Sequence, residues 1–171
     1  MRFVVSPAAI AVLLATPALG AELSVSLEIP RLSVAEYHRP YVAIWVENKT
    51  VKKVTNLAVW YDFKMKDDEG TKWLKDIRQW WRVSGRELKM PVDGITGATR
   101  APGEHVVSFP LGKAPVGELT PGDYELVVEA SREVGGRESL RIPFKWPAAG
   151  TVAATAQGAH ELGLVKLDLK P

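Results

Sequence analysis

The sequence predicts a mainly β protein, an antiparallel β-sandwich of immunoglobulin-like type with about seven strands and one short helix. Short runs of alternating apolar and polar residues favour this fold, and Gly or Pro bounds most of these runs. The length of 171 residues fits one domain. Apolar residues make up 46% of the chain and charged residues 25%, so we expect a packed core rather than disorder.

Seven runs have strand character. The first, residues 23–29, alternates Leu23, Val25, Leu27 and Ile29 with polar residues, the period of a half-buried strand. The other six runs are 41–47, 54–63, 104–109, 122–130, 138–144 and 164–169.

Within 54–63, the alternation puts Leu57, Val59 and Tyr61 on one face of the strand. The segment 48–53, between the second and third runs, is predicted to be a hairpin turn.

One segment breaks the β pattern, residues 71–82 (TKWLKDIRQWWR). Its apolar residues recur at helical spacing, which predicts a helix of about three turns across one end or edge of the sandwich. The predicted apolar face consists of Trp73, Leu74, Ile77, Trp80 and Trp81. Arg78 and Arg82 lie four positions apart on the other side, where they face either solvent or one common ligand.

Two irregular segments follow. Residues 83–103 hold four Gly and two Pro, and a loop of this length in a compact domain is typical of a functional segment. Residues 151–158 are rich in Ala and Thr, and we predict a linker loop there.

The N-terminal residues 1–20 predict a cleaved signal peptide. Arg2 precedes an apolar run over residues 3–14, and Ala18 and Gly20 supply small residues at the exit. The mature chain, residues 21–171, is then a single exported β-sandwich domain with a long functional loop at 83–103. The expected location is the periplasm.

The composition excludes several functions. The absence of Cys removes disulfide scaffolds, thiolate metal sites and cysteine nucleophiles. A net charge of +2 is too small to predict nucleic-acid binding, and three His leave little room for a metal site. No catalytic sequence motif is present, so a carrier or binding module is favoured over an enzyme.

The long loop contains the heptapeptide DGITGAT, residues 93–99. Gly94 and Gly97 permit positive φ and close approach to the backbone, and Ala98 is also small. Thr96 and Thr99 offer hydroxyls three positions apart.

Charged and aromatic residues accompany this heptapeptide. Asp93 can hydrogen-bond locally or bind a cation, and Arg100 supplies positive charge suited to phosphate. Trp80 and Trp81, together with Trp73, are candidate stacking surfaces for a planar ring.

This heptapeptide resembles the modification site of covalently flavinylated electron-transfer subunits, Asp-x-x-(Ser/Thr)-Gly-Ala-(Thr/Ser). The resemblance implies that a periplasmic flavin transferase joins FMN to Thr99 through a phosphoester. It also implies that the transferase recognises Asp93, Thr96 and Gly97. An acceptor of this kind must be accessible at the surface.

The mature chain also resembles a family of exported bacterial domains of unknown function. The resemblance rests on YVAIWVEN at 41–48, KWLKDIRQWW at 72–81 and DGITGATRAPGEH at 93–105. Members of that family are found beside PepSY-type membrane proteins and flavin transferases, which implies a place in a periplasmic redox system.

Three functions therefore remain open. The first is an electron-transfer protein with FMN on Thr99. The second is a non-catalytic exported binding module that uses the Trp, Arg and Gly-rich loop surface to hold a partner protein or ligand. The third is a hard-cation site at Asp93. Each feature also has a purely structural interpretation. Residues 93–99 can be a Gly-rich turn, and the Trp cluster can be part of the packed core.

Overall fold

The computed structural model describes residues 20–171, so the predicted signal peptide lies outside the described residues except for Gly20. Within residues 20–171, none of the helices combines the length and the apolar character needed to cross a membrane. The described chain forms nine strands in the order β1 (Glu22–Ile29), β2 (Tyr41–Asn48), β3 (Lys53–Trp60), β4 (Thr96–Gly97), β5 (Gly103–Pro110), β6 (Gly122–Ser131), β7 (Arg137–Trp146), β8 (Val152–Gln157) and β9 (Leu164–Lys170).

These strands form two sheets, which confirms the predicted β-sandwich. The first sheet has the order β5-β1-β9-β8, and the second has the order β4-β3-β2-β6-β7. Neighbouring strands are antiparallel except for the short parallel pairing of β4 with β3. All seven predicted strands are present, and β4 and β8 are additional.

The main core lies between the two sheets. Leu23, Val25 and Leu27 of β1 are buried in it, as their period-two spacing predicts. From β2 and β6 the sheet opposite contributes Ile44 and Leu126, which are also fully buried. This inter-sheet core holds the sandwich together by removing apolar side chains from water.

The prediction of a linker loop at 151–158 is wrong, because Val152–Gln157 forms the edge strand β8 against β9. Val152, Ala154 and Ala156 pack partly against the inter-sheet core, and the residues between them are exposed. Alanine has a low strand propensity, so the alternation was not evident in the sequence. The pairing with β9 forms the strand despite that propensity.

Strand β3 contains a β-bulge that shifts its faces. Trp45 pairs with Asn56 and Ile44 pairs with Ala58, so Leu57 is the extra residue. Leu57 therefore lies in the inter-sheet core, whereas Val59 lies on the opposite face of the sheet. The predicted common face for Leu57 and Val59 is wrong for this reason.

The predicted helix at 71–82 takes a different course. A 3₁₀ segment, Lys66–Asp76, precedes a short helix α1 (Arg78–Val83), and a 3₁₀ turn follows at Gly85–Glu87. Asp67 and Asp68 adopt left-handed conformations, and Ile77 has non-helical angles between the two pieces. We call residues 66–87 the helical layer.

The helical layer covers part of the outer face of the second sheet, rather than the end or edge of the sandwich that the sequence predicted. Leu74, Ile77 and Trp80 lie three positions apart and are buried against Val59 and other residues of that sheet. Leu74 lies in the 3₁₀ segment and Trp80 in α1, with the non-helical Ile77 between them, whereas the prediction of one α-helix also placed Trp73 on the buried face. Trp73 is 49% exposed instead. This arrangement gives the protein a second, smaller core.

Candidate functional site

Thr99 lies just beyond β4, at the edge of the second sheet. Its hydroxyl donates a hydrogen bond to Oδ1 of Asp62, with 3.0 Å between the two oxygens. Asp62 follows the end of β3 and is exposed, and Thr99 is half-buried. The hydroxyl proposed as an acceptor therefore lies at the surface beside a carboxylate.

The backbone of the heptapeptide is fixed against β3 by two hydrogen bonds. The N–H of Val59 donates to the carbonyl of Ile95 over 2.7 Å, and the N–H of Tyr61 donates to the carbonyl of Gly97 over 2.9 Å. Ile95 is buried under the helical layer and anchors the loop. These contacts determine where Thr99 emerges from the loop.

Thr96 stabilises the turn of the loop through two hydrogen bonds to Val92. Its hydroxyl accepts a hydrogen bond from the N–H of Val92 over 2.8 Å, and its own N–H donates to the Val92 carbonyl over 3.0 Å. Gly94 stands in the turn between them with φ of 80°, a conformation that favours glycine. The Thr96 hydroxyl therefore stabilises the loop. Asp93 and Ala98, in the same heptapeptide, are exposed at the surface.

Gly97 is required by its close approach to an aromatic ring. A Cβ at this position would lie 2.9 Å from Cδ1 of Trp60, closer than a real Cβ contact allows. The parallel pairing of Gly97 with Trp60 brings the two backbones together. The small residue that the motif demands therefore also has a packing role here.

Arg100 covers Trp60 from outside. Its guanidinium carbon lies 4.3 Å from the centroid of the Trp60 ring, a cation–π arrangement. The ring of His105 meets Trp60 edge-on at 5.9 Å, and Nε2 of His105 is 2.8 Å from the carbonyl oxygen of Ala101. Arg100 and His105 thus cover Trp60 at the edge of the inter-sheet core.

A cleft of about 1010 Å³ opens beside Thr99. Thr99 and Asp62 line it on the β3 side, and Arg137, the first residue of β7, lines it on the far side. These strands are three spacings of about 4.8 Å apart, so the cleft extends roughly 14 Å across the sheet. Its walls come from the helical layer, the β6–β7 hairpin and the segment before β2, and they include Tyr37, Arg39, Tyr41, Met65, Trp73, Asp76, Arg78, Arg132 and Val134.

Of the three tryptophans predicted as stacking surfaces, only Trp73 lines the cleft. Trp80 is fully buried, and its indole N–H donates to Oδ1 of Asn56 over 2.8 Å. Trp81 is half-buried, with its ring centroid 6.3 Å from that of Trp80. Trp80 and Trp81 therefore belong to the packing of the helical layer, as the structural interpretation of the cluster anticipated.

Asp62 and Tyr41 line this site but were not predicted from the sequence. Burial raises the pKa of Tyr41 to about 12 and outweighs a hydrogen bond with the Asp62 backbone that lowers it, so the phenol of Tyr41 stays protonated at neutral pH. Asp62 is 37 positions from Thr99, too far for any local motif to connect them. The sequence placed Asp62 inside the predicted strand 54–63, where nothing distinguished it as a site residue.

The far wall of the cleft contains a buried ion pair that the sequence also did not reveal. Nε and Nη2 of Arg132 donate to Glu161 over 2.9 and 3.1 Å, and the N–H of Gly136 donates to the same carboxylate over 2.8 Å. Both side chains are almost completely buried. The pair ties the β6–β7 hairpin to the segment before β9.

The residues that the structure describes contain no group of three or more His, Asp or Glu side chains placed to hold a metal ion. Asp93 is exposed in its loop without such companions. The cation hypothesis therefore gains no support from the geometry.

Comparison with known proteins gives one match. A family model described as "Predicted periplasmic protein (DUF2271)" matches residues 22–164, most of the chain. The match confirms the predicted periplasmic location and the resemblance to an exported family of unknown function. Neither a curated protein nor a solved structure matches the chain.

Proposed function

The chain belongs to the DUF2271 family of predicted periplasmic proteins, and from that premise we propose that it carries FMN covalently on Thr99 and transfers electrons in a periplasmic redox system. One observation carries the proposal: the half-buried Thr99 hydroxyl is hydrogen-bonded to an exposed carboxylate at one end of a large cleft. The partners proposed are a periplasmic flavin transferase and a PepSY-type membrane redox protein.

The attachment step requires an activated donor, and a flavin dinucleotide with its pyrophosphate bond is the class that fits. Oγ1 of Thr99 attacks the phosphorus on the flavin side. The Oγ1–P bond forms, the pyrophosphate P–O bond breaks and AMP leaves. Asp62, already 3.0 Å from Oγ1, accepts the hydroxyl proton. The transferase supplies the bound dinucleotide, and this chain supplies the nucleophile and the base.

The cleft has the size and surface for a flavin. Its volume of about 1010 Å³ is at the upper end of small-molecule sites, which span roughly 300–1,000 Å³. Trp73 offers a half-exposed aromatic ring in the cleft wall, and Tyr37 and Tyr41 line the cleft as well. Once attached, FMN supplies reversible one- and two-electron transfer, and these side chains would shield its ring from water.

The test is the intact mass of the protein after periplasmic expression with and without a flavin transferase. We expect a gain of one FMN less one water only when the transferase is present. Thr99→Ala removes the gain, and Thr99→Ser, which keeps a hydroxyl at the same position, retains it. An unmodified wild-type mass beside a transferase that modifies a known acceptor would disprove attachment.

The second candidate function is a non-catalytic binding module. The observation that favours it is the exposed apolar rim of the cleft, formed by Met65, Trp73 and Val134, with Val134 77% exposed. Exposed apolar side chains around a cavity are typical of a docking surface. In this case Trp73→Ala weakens partner binding, whereas Thr99→Ala leaves it unchanged.

A further inference from the structure

A second, smaller pocket of about 430 Å³ adjoins the cleft and is rich in arginine. Arg78 and Arg82 come from α1 and Arg137 from β7, and the remaining lining residues are Gln79, Glu129 and Ser139. Arg78 and Arg137 also line the cleft, so the two cavities are neighbours. We call this smaller cavity the arginine pocket.

The one carboxylate of the arginine pocket is already occupied. Glu129 is 1% exposed, and its oxygens accept hydrogen bonds from the N–H groups of Gln79 (3.1 Å) and Trp80 (2.8 Å). Nε of Arg137 is 3.7 Å from the same carboxylate. The carboxylate of Glu129 is therefore engaged by two N–H groups of α1 and by Arg137. It does not pair with Arg78 or Arg82.

Within the part of the chain that the structure describes, Arg78 and Arg82 lack a carboxylate partner. Among residues 20–171, no carboxylate oxygen lies within 4.0 Å of either guanidinium. The pocket lining therefore carries three positive charges and one negative charge, a net charge of +2, and the exposed guanidinium groups of Arg78, Arg82 and Arg137 are accessible to an anion from solution. The four-residue spacing of Arg78 and Arg82 thus brings both to one pocket, one of the two interpretations that their spacing allowed.

We propose that the arginine pocket binds a phosphate group. Guanidinium groups donate several hydrogen bonds in a fixed planar arrangement that matches phosphate and carboxylate oxygens. A phosphate presents more oxygens to the three arginines that line the pocket than a carboxylate does. The shared arginines allow the rest of a bound molecule to extend into the cleft. This site does not depend on modification of Thr99.

The experiment uses the mature chain expressed without a flavin transferase. Inorganic phosphate and succinate are titrated separately, at an ionic strength matched with sodium chloride, while the arginine Nε–H signals are followed by NMR. We expect saturable shifts of the Arg78 and Arg137 signals with phosphate. Saturable shifts with succinate and none with phosphate would overturn the assignment to phosphate.

Two variants that each remove one positive charge show whether binding depends on the pocket or only on the net charge of the protein. Arg82→Gln removes a guanidinium from the pocket, and we expect binding at least about tenfold weaker because a charge-assisted contact is lost. Arg86→Gln removes an exposed guanidinium that does not line the pocket, and its affinity stays at the wild-type value. Shifts no larger than those with chloride, or equal affinities of the two variants, would overturn the proposal.

Discussion

Thr99 and Asp62 form a direct hydrogen bond, Oγ1 to Oδ1 over 3.0 Å, although 37 positions separate them in the chain. The bond exists because β4 pairs with β3, which brings the residues that follow both strands to the same edge of the sheet. Within the proposed function, Asp62 is therefore the base that receives the threonine proton.

Asp62→Asn tests this role. An amide cannot accept the proton, so we expect the rate of Thr99 modification to fall by roughly 10²–10⁴-fold. Stability changes little, because a surface hydrogen bond contributes about 1 kcal/mol. The measurement is the rate of mass gain with purified transferase, and Asp168→Asn on the opposite sheet is the matched control. Equal rates for the two variants would remove Asp62 from the mechanism.

Gly97→Ala tests the close contact with Trp60. The new Cβ would lie 2.9 Å from Cδ1 of the ring, so β4 must move away from β3 and carry Thr99 with it. We expect a loss of about 1–3 kcal/mol in the free energy of unfolding and slower modification of Thr99. Gly150→Ala, where a Cβ meets nothing within 4 Å, is the control in urea unfolding. A variant as stable as the control would contradict the packing role.

Substitution of two tryptophans of the helical layer should change stability by very different amounts. Trp80 is fully buried and its indole donates to Asn56, so Trp80→Ala should lower the free energy of unfolding by about 3–5 kcal/mol. Trp73 is half-exposed, and Trp73→Ala should change the free energy of unfolding by only about 0.5 kcal/mol. Urea unfolding of both variants measures the contrast. Similar losses would mean that the two rings are equally buried in solution.

Stability should fall at acidic pH through Glu47. Burial raises the pKa of this carboxyl, but hydrogen bonds from Lys49, Trp45 and Arg141 outweigh burial and lower the pKa from 4.5 to about 2. Because the folded-state pKa lies below the unfolded one, the stabilisation is complete above pH 4.5 and is lost as the pH falls towards 2. The shift corresponds to at most about 3 kcal/mol.

Glu47→Gln isolates this effect. We expect the variant to be less stable than wild type at pH 7 and the difference to shrink as urea unfolding is repeated towards pH 2.5. Glu118→Gln, on an exposed glutamate, should follow the wild-type curve throughout. A constant difference between Glu47→Gln and wild type at all pH values would show that the carboxylate charge is not responsible.

The strands could be predicted from the sequence because apolar alternation is a local signal. Leu23, Val25 and Leu27 illustrate this. They are two positions apart, so they lie on one face of β1, and all three are buried in the core. The bulge at Leu57 could not be predicted, because it arises from pairing with β2 rather than from β3 itself. Strand β8 was missed for the same reason, since its pairing with β9 outweighs its poor propensity.

The site was only partly predictable. The sequence identified Thr99 and its loop through a local motif, but the cleft depends on contacts between distant segments. Asp62 follows β3, Arg137 begins β7, and Trp73 reaches the cleft from the 3₁₀ segment Lys66–Asp76. No spacing rule within one segment contains that information, so a sequence pattern can indicate the reactive residue without indicating its surroundings.

The buried pair of Arg132 and Glu161 gives the last prediction. Glu161→Gln leaves the guanidinium buried without its counter-charge, so we expect a loss of about 3–5 kcal/mol in the free energy of unfolding. Adding Arg132→Met removes the uncompensated charge, while the glutamine oxygen can still accept the N–H of Gly136. The double variant should therefore be more stable than Glu161→Gln alone, and a double-mutant cycle in urea measures the coupling. Additive losses would show that the two charges do not depend on each other.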